Sequence, residues 1–204
     1  MATYHSLASK RVVQTLCDGG VGVIPTDTLY GIVGSALLEK TVERIYTVRR
    51  RDGDKPLIVL IGSISDMSLF GIHLNSFKQK IVSTVWPGKV SVIVPCTQKK
   101  FTYLHRGTKG IAFRMPQHQG LLRLLVQTGP LVAPSANTQG NNPAYTIADA
   151  RGYFGEDVDF YVDGGVRHSP PSTLISLRTD GMRVVREGAV SLSDKRLQLL
   201  KILK

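Results

Sequence analysis

The sequence predicts an α/β domain: an open, twisted mixed sheet with helices packed against it. Short apolar runs bounded by Gly and Pro recur along the chain, as buried strands do. Longer stretches with apolar residues at helical spacing lie between several of them. The two kinds intermix without strict strand–helix alternation, so parallel and antiparallel neighbours are both expected. The 204 residues, 42% hydrophobic and 20% charged, suit one domain over 1–204 with a sizeable core.

Residues 6–17 carry Ala8, Val12, Val13 and Leu16 on one helical face, and Asp18-Gly19-Gly20 closes that helix. Val21–Pro25 reads as a buried strand, and Thr26-Asp27-Thr28-Leu29-Tyr30-Gly31 as a hydroxyl-rich loop. A helix over 39–49 turns Val42, Ile45 and Val48 inward. Leu57–Ile61 is apolar throughout, so it reads as a strand covered on both faces. After a helix over 74–85, Trp86-Pro87-Gly88 breaks the chain before a strand at Val90–Val94. The strand Ile111–Met115 ends at Pro116, and a helix over 119–127 leads to a strand at 130–133. Residues 146–154 read as helical, with strands near 158–162, 173–177 and 183–187. Ser191 and Asp194 read as a capping pair for a last helix over 192–203 that carries Leu197, Leu200 and Leu203 on one face.

A net charge of +11 points to a polyanionic partner: nucleotide, nucleic acid or both. Cys17 and Cys96 lie far apart on apolar segments and read as buried thiols in a reducing compartment. The five His residues lack metal-ligand spacing, so no protein-built metal site is expected. No apolar run approaches a membrane span and no signal-peptide pattern opens the chain, so cytoplasmic residence is the default expectation.

Chemistry concentrates in a few segments. Ala133-Pro134-Ser135-Ala136-Asn137 follows a short strand; Pro134 lacks an N–H, so the ladder is expected to stop there. Ser135 and Asn137, two apart on extended chain, share one side and suit a ribose or phosphate oxygen, or satisfy a turn of their own. Arg49-Arg50-Arg51-Asp52-Gly53-Asp54-Lys55 is a basic helix end running into a buried strand. Those cations either complement the helix dipole or, if the helix has frayed, reach one polyphosphate at a sheet edge. Arg114, inside an apolar strand, needs an anion or a carboxylate partner. Thr26 and Thr28, Ser172 and Thr173, and Arg186 before a Gly turn complete the set. Neither a Walker loop nor a G-x-G-x-x-G pattern is present.

The order of these motifs resembles the YrdC-like family, the threonylcarbamoyl-AMP synthases of tRNA modification. The resemblance runs from about Ala8 to Val190 and rests on PTDTLYGI (25–32), KPL (55–57), WPG (86–88), RMP (114–116), APSAN (133–137), STLI (172–175) and VREGAV (185–190). It implies an open twisted sheet with a positively charged concave face. It also implies synthesis of L-threonylcarbamoyladenylate from L-threonine, bicarbonate and ATP, with release of pyrophosphate. A partner complex would then modify adenosine 37 of tRNA. The family's Lys-x-Arg with Ser-x-Asn signature falls on Arg49-Arg50-Arg51 and Ser135-Ala136-Asn137, with Arg49 in place of the Lys.

By the same resemblance Arg49, Arg51 and Lys55 are the catalytic cations. Arg51, Ser135, Asn137 and Arg186 hold ATP, while Thr28, Arg114 and Ser172 line the threonine site. Mg2+ is held mainly by the ATP phosphates, and no covalent protein intermediate is required. Two rivals stand beside this reading. Carbamoyl-transferring hydrogenase-maturation proteins carry zinc-binding Cys motifs, which two isolated cysteines do not supply. A diverged member binding double-stranded RNA or tRNA without catalysis would use the same basic face. Every version of the synthase reading requires the separated loops to converge on one cavity.

Overall fold

A computed structural model describes residues 2–178, 181–191 and 193–202. The chain runs β1 (Ala2–Tyr4), α1 (Lys10–Cys17), β2 (Gly22–Pro25), β3 (Tyr30–Ser35), α2 (Glu39–Val48), β4 (Ile58–Leu60), α3 (Ser76–Val85) and β5 (Val90–Pro95). It continues through α4 (Thr102–His105), β6 (Gly110–Arg114), α5 (Gln119–Thr128), β7 (Leu131–Val132), α6 (Ile147–Phe154), β8 (Phe160–Val162), β9 (Thr173–Arg178), β10 (Gly181–Arg186) and α7 (Lys195–Ile202). The described strands form one mixed sheet in the order β1-β8-β2-β3-β7-β4-β6-β5-β9-β10. The pairs β4–β6 and β5–β9 are parallel, while β4–β7 and β5–β6 are antiparallel.

Alternation along the strands divides the core in two. Val23, Ile32, Val59, Val92, Phe113 and Val132 point to the face covered by α2, α3 and α6. Ile24, Val33, Leu60 and Leu131 point the other way and are covered by Val12 and Leu16 of α1 and Leu121, Leu124 and Leu125 of α5. Those two helices cover only part of their face. The cross-strand row Ile58–Ala112–Ile93, set by the β4–β6 and β5–β6 registers, lies beyond them and floors a cavity. Covering on both faces of 57–61 therefore fails at Ile58, which is half-buried against open space.

Local chemistry moved several boundaries. Helix α1 starts at Lys10 because the Ser6 hydroxyl accepts from the Ala8 N–H at 3.1 Å, which makes a turn of 6–9. Ala8 is exposed and Leu7 is buried in its stead. Cys17 is exposed at the end of α1, whereas Cys96 is buried. Residues 30–35, of which the sequence reading places 30 and 31 in a loop and assigns 32–35 to no element, form β3. Its glycines hide the strand pattern, yet Gly34 is needed there, since a Cβ would lie 2.4 Å from Thr41 Cγ2 of α2. Regular pairing of β7 ends at Val132, but the Pro134 carbonyl still accepts from Ile32 N–H at 3.0 Å and a bridge joins Gly31 to Ser135. Leu197 is buried; the side chain of Leu200 and all of Leu203 lie outside the described residues.

Asp159 ties three elements together just before β8. Its carboxylate accepts from the Val21 N–H at 2.7 Å and from both terminal nitrogens of Arg44 on α2, at 2.6 and 3.0 Å. Burial pushes this carboxyl up, but Arg44 and the Val21 N–H outweigh that and leave it below the ordinary range. A depressed carboxyl contributes stability above its unfolded pKa and loses it as pH falls. Asp159→Asn is expected to cost about 1 kcal/mol near neutral pH, with the gap to wild type closing between about pH 5 and pH 2. Urea melts across that range check it; a gap that is constant with pH contradicts the assignment.

Candidate functional site

The uncovered part of the sheet forms a cavity of about 540 Å3, within the range of roughly 300–1,000 Å3 usual for small-molecule sites. Ile58, Ala112 and Ile93 make its floor, with Ala133 and Leu174 beside them. Its polar rim comes from five separate segments. Helix α2 ends at Val48, Arg49 keeps a right-handed backbone and Arg50 takes φ +48°. That left-handed residue reverses the chain, so Arg49 and Arg51 both line the cavity.

Arg49 is 2% exposed. Its Nε donates to the Asn137 carbonyl at 3.1 Å, and its Nη2 lies 3.5 Å from Ser135 Oγ and 3.4 Å from Asn137 Oδ1. Nη1 is buried and has no partner among the described residues. Burial, with a smaller push from Arg51, pulls this guanidinium down to about 10. It stays charged at neutral pH, so an arriving anion would relieve the cost. Arg51 donates to the Lys55 and Pro56 carbonyls, at 3.3 and 3.4 Å, and burial lowers its pKa as well. Arg186 sits exposed at the rim and donates to the Ser172 carbonyl at 2.9 Å. None of these three guanidiniums forms an ion pair among the described residues.

The hydroxyls converge too. Ser135 Oγ donates to Asn137 Oδ1 at 2.6 Å, and Ser135 lines the cavity. Thr28 shares a 3.1 Å hydrogen bond with Thr26, and Ser172 a 2.8 Å one with Ser91. Thr26 accepts from the Thr28 N–H and donates to the Leu29 carbonyl within its own turn, and both threonines line the cavity. The expected convergence of the arginine loop and the serine–asparagine corner is present.

Three predicted site residues sit differently. Asn137 lies behind the wall: its Nδ2 donates to the carbonyls of Thr138 and Asn141 and its Oδ1 takes Ser135. Its amide is spent on shaping the corner. Lys55 does not line the cavity; its ammonium pairs with Asp52 at 2.7 Å on the outside of the loop. Arg114 lines the cavity but pairs with Asp27 at 2.7 Å, both side chains 5% exposed or less. Of the two partners left open for it, the internal carboxylate is the one present. Sequence reasoning missed Tyr30 and Thr108 at the wall. Thr108, a hydroxyl in a Gly-flanked turn before β6, shows the same hydroxyl-before-strand signal as Ser172.

Residues 14–188 match the family model for Sua5, YciO and YrdC proteins, described as telomere recombination. The chain belongs to this family. It is 31% identical over 188 residues to the threonylcarbamoyl-AMP synthase of Bacillus subtilis, covering 89% of this chain and 53% of that one. Against the threonylcarbamoyl-AMP synthase of Hahella chejuensis it is 31% identical over 156 residues, covering 76% of this chain and 85% of that one. The structure of Pyrococcus abyssi Sua5 complexed with L-threonine superposes with a TM-score of 0.87 at 24% identity. That match covers 95% of this chain and 59% of the Pyrococcus chain, and shows a shared Sua5 fold. Among the described residues no helix is long and apolar enough to cross a membrane.

Packing explains the glycine of the VREGAV turn. A Cβ on Gly188 would lie 2.1 Å from the Pro171 carbonyl oxygen and 2.8 Å from that of Ser172. Both obstacles are backbone, so Gly188→Ala must displace the turn that holds Ser172 and Arg186. The expected cost is about 1–3 kcal/mol in stability. Denaturation measures it; unchanged stability contradicts the tight packing of this turn.

Proposed function

We propose that this chain is a nucleotidyltransferase that makes L-threonylcarbamoyladenylate from L-threonine, bicarbonate and ATP, releasing pyrophosphate. The observation that carries the proposal is the meeting of Arg49, Arg51 and Arg186 with Thr28, Ser135 and Ser172 around one apolar-floored cavity. Its relatives' names and the threonine in the Pyrococcus structure support the same reading.

The threonine amine takes up CO2 from bicarbonate, with loss of water, and becomes a carbamate. A carbamate oxygen attacks the α-phosphorus of ATP, and the bond from that phosphorus to the pyrophosphate oxygen breaks. Both reactants are anions, so the protein's task is to hold them together and neutralise charge developing on phosphate oxygens. Arg49, with one buried Nη unpartnered, and Arg51 face the triphosphate, and Arg186 closes the rim beside Ser172. Ser135 would position the ribose or a phosphate oxygen, and Thr28 the amino acid. The Asp27–Arg114 pair would brace the wall behind the threonine. Lys55 would reach the phosphates on leaving Asp52.

The cavity's donors are guanidiniums and hydroxyls, a set that fits phosphate oxygens and leaves Mg2+ to the triphosphate and water. The ion would supply further charge neutralisation on the leaving pyrophosphate. The adenylate would pass to partner proteins for N6-threonylcarbamoyladenosine formation at position 37 of tRNA. The net charge of +11 suits a polyanion at that step.

Pyrophosphate release from ATP should require both threonine and bicarbonate; release indifferent to threonine overturns the proposal. Arg51→Ala is expected to lower kcat/KM for ATP by about a hundredfold. Thr28→Val should instead raise the threonine KM by roughly tenfold and spare the ATP KM. Steady-state pyrophosphate assays read both.

A further inference from the structure

Two segments far apart in sequence must stay in register for the cavity rim to exist: the arginine loop after α2 and the corner after β7. One residue holds both with its backbone and its side chain. The Gln139 N–H donates to the Arg49 carbonyl at 3.0 Å. Its side-chain amide meets Asp52 twice, accepting from the Asp52 N–H at 2.9 Å and donating to Asp52 Oδ2 at 2.6 Å. The same carboxylate takes the Lys55 ammonium at 2.7 Å. Gln139 itself does not line the cavity.

The loop has reason to need this hold. Arg50 sits at φ +48° between Arg49 and Arg51, a conformation that a non-glycine residue keeps only when its surroundings over-determine it. The last turn of α2 holds the start of the loop, its Thr47 and Tyr46 carbonyls accepting from the Arg50 and Arg51 N–H groups, each at 3.0 Å. Beyond it, Asp52 is exposed, and its tie to Gln139 is the bond that joins this part of the loop to the Ser135–Asn137 corner. Without that tie, ordering of the loop would be charged against ligand binding.

We infer that Gln139 is a positioning residue whose amide, paired with Asp52, sets Arg49 and Arg51 against Ser135 and so sets nucleotide affinity. This rests on the cavity being the nucleotide site proposed above. The amide never touches the ligand; it acts through the loop.

The test is an amide–carboxylate exchange in the full chain, with ATP binding read by calorimetry, melting temperature alongside, and threonine-dependent pyrophosphate release as a separate assay. Gln139→Glu sets two carboxylates against each other where a hydrogen bond stood, and should weaken ATP binding by about tenfold. Adding Asp52→Asn lets the new carboxamide donate to the new carboxylate and should return affinity to within about threefold of wild type. Asp52→Asn alone keeps an acceptor for Gln139 and should stay within that same margin. Affinity within about twofold of wild type in Gln139→Glu, or no recovery in the double variant, overturns the inference. So does a fall in melting temperature that leaves affinity unchanged. Wild-type protein that binds ATP but releases no threonine-dependent pyrophosphate defeats the proposed reaction and leaves the clamp standing; wild type that binds no ATP defeats both.

Discussion

A buried, incompletely paired guanidinium is the constraint from which the rest of this site follows. Arg49 spans the end of α2 and the corner after β7, segments 88 residues apart, through the Asn137 carbonyl, Asn137 Oδ1 and Ser135 Oγ. A charge in that position is expensive, as its depressed pKa of about 10 records. Three of its contacts are to neutral oxygens and one buried nitrogen has none. Among the described residues this cation has no anionic partner. Arg is the residue that can do this: its rigid fork satisfies the corner with Nε and Nη2 and leaves one buried nitrogen, Nη1, unpartnered. A lysine ammonium is a compact point charge and could not span the same acceptors. On the proposed function, Arg49, where the family resemblance implies a lysine, would join scaffold and ligand roles in one side chain.

The second constraint is the bare part of the sheet. Helices α1 and α5 cover Ile24, Val33, Leu60 and Leu131 but stop short of the Ile58–Ala112–Ile93 row. Apolar strand residues facing open space would be a liability on an ordinary surface, yet here they form a floor with a cationic rim. Floor and rim divide the labour: the floor favours burial of an apolar body, and the rim fixes the charged groups. Thr28, Arg49, Arg51, Ser135 and Ser172 lie outside the strands, and Arg186 is the last residue of the edge strand β10. Arg114, the last residue of the inner strand β6, carries its own counter-ion in Asp27.

Most of the sheet was legible because β2, β5 and β6 are largely apolar stretches between strong breakers, and local pattern suffices for such strands. Strand β3 was not legible: Gly31 and Gly34 interrupt its pattern, and the need for Gly34 lies in its contact with Thr41, a tertiary fact. The site followed the same division. Ser135 and Asn137 could be placed on one side from their spacing, and Arg114 could be said to need an anion. That the anion is Asp27, and that Lys55 turns outward to Asp52, depend on loop geometry that residue spacing does not encode. The Gln139–Asp52 pair was invisible for the same reason, since two polar residues in separate turns carry no periodic signal.

The chemistry proposed for the cavity explains why so much of its construction goes into register. Joining a carbamate to the α-phosphate of ATP needs no nucleophile from the protein and no general base on the carbamate oxygen, which is already charged. What it needs is that two anions approach along a line, against their repulsion, while charge builds on the departing pyrophosphate. A guanidinium displaced by an ångström loses much of its value in that task, because the stabilisation depends on distance and on the exclusion of water. Bonds that never touch the ligand, such as those of Asn137 to Thr138 and Asn141, then matter as much as those that do. In such a site catalytic power resides in how firmly five separated segments are held to one another.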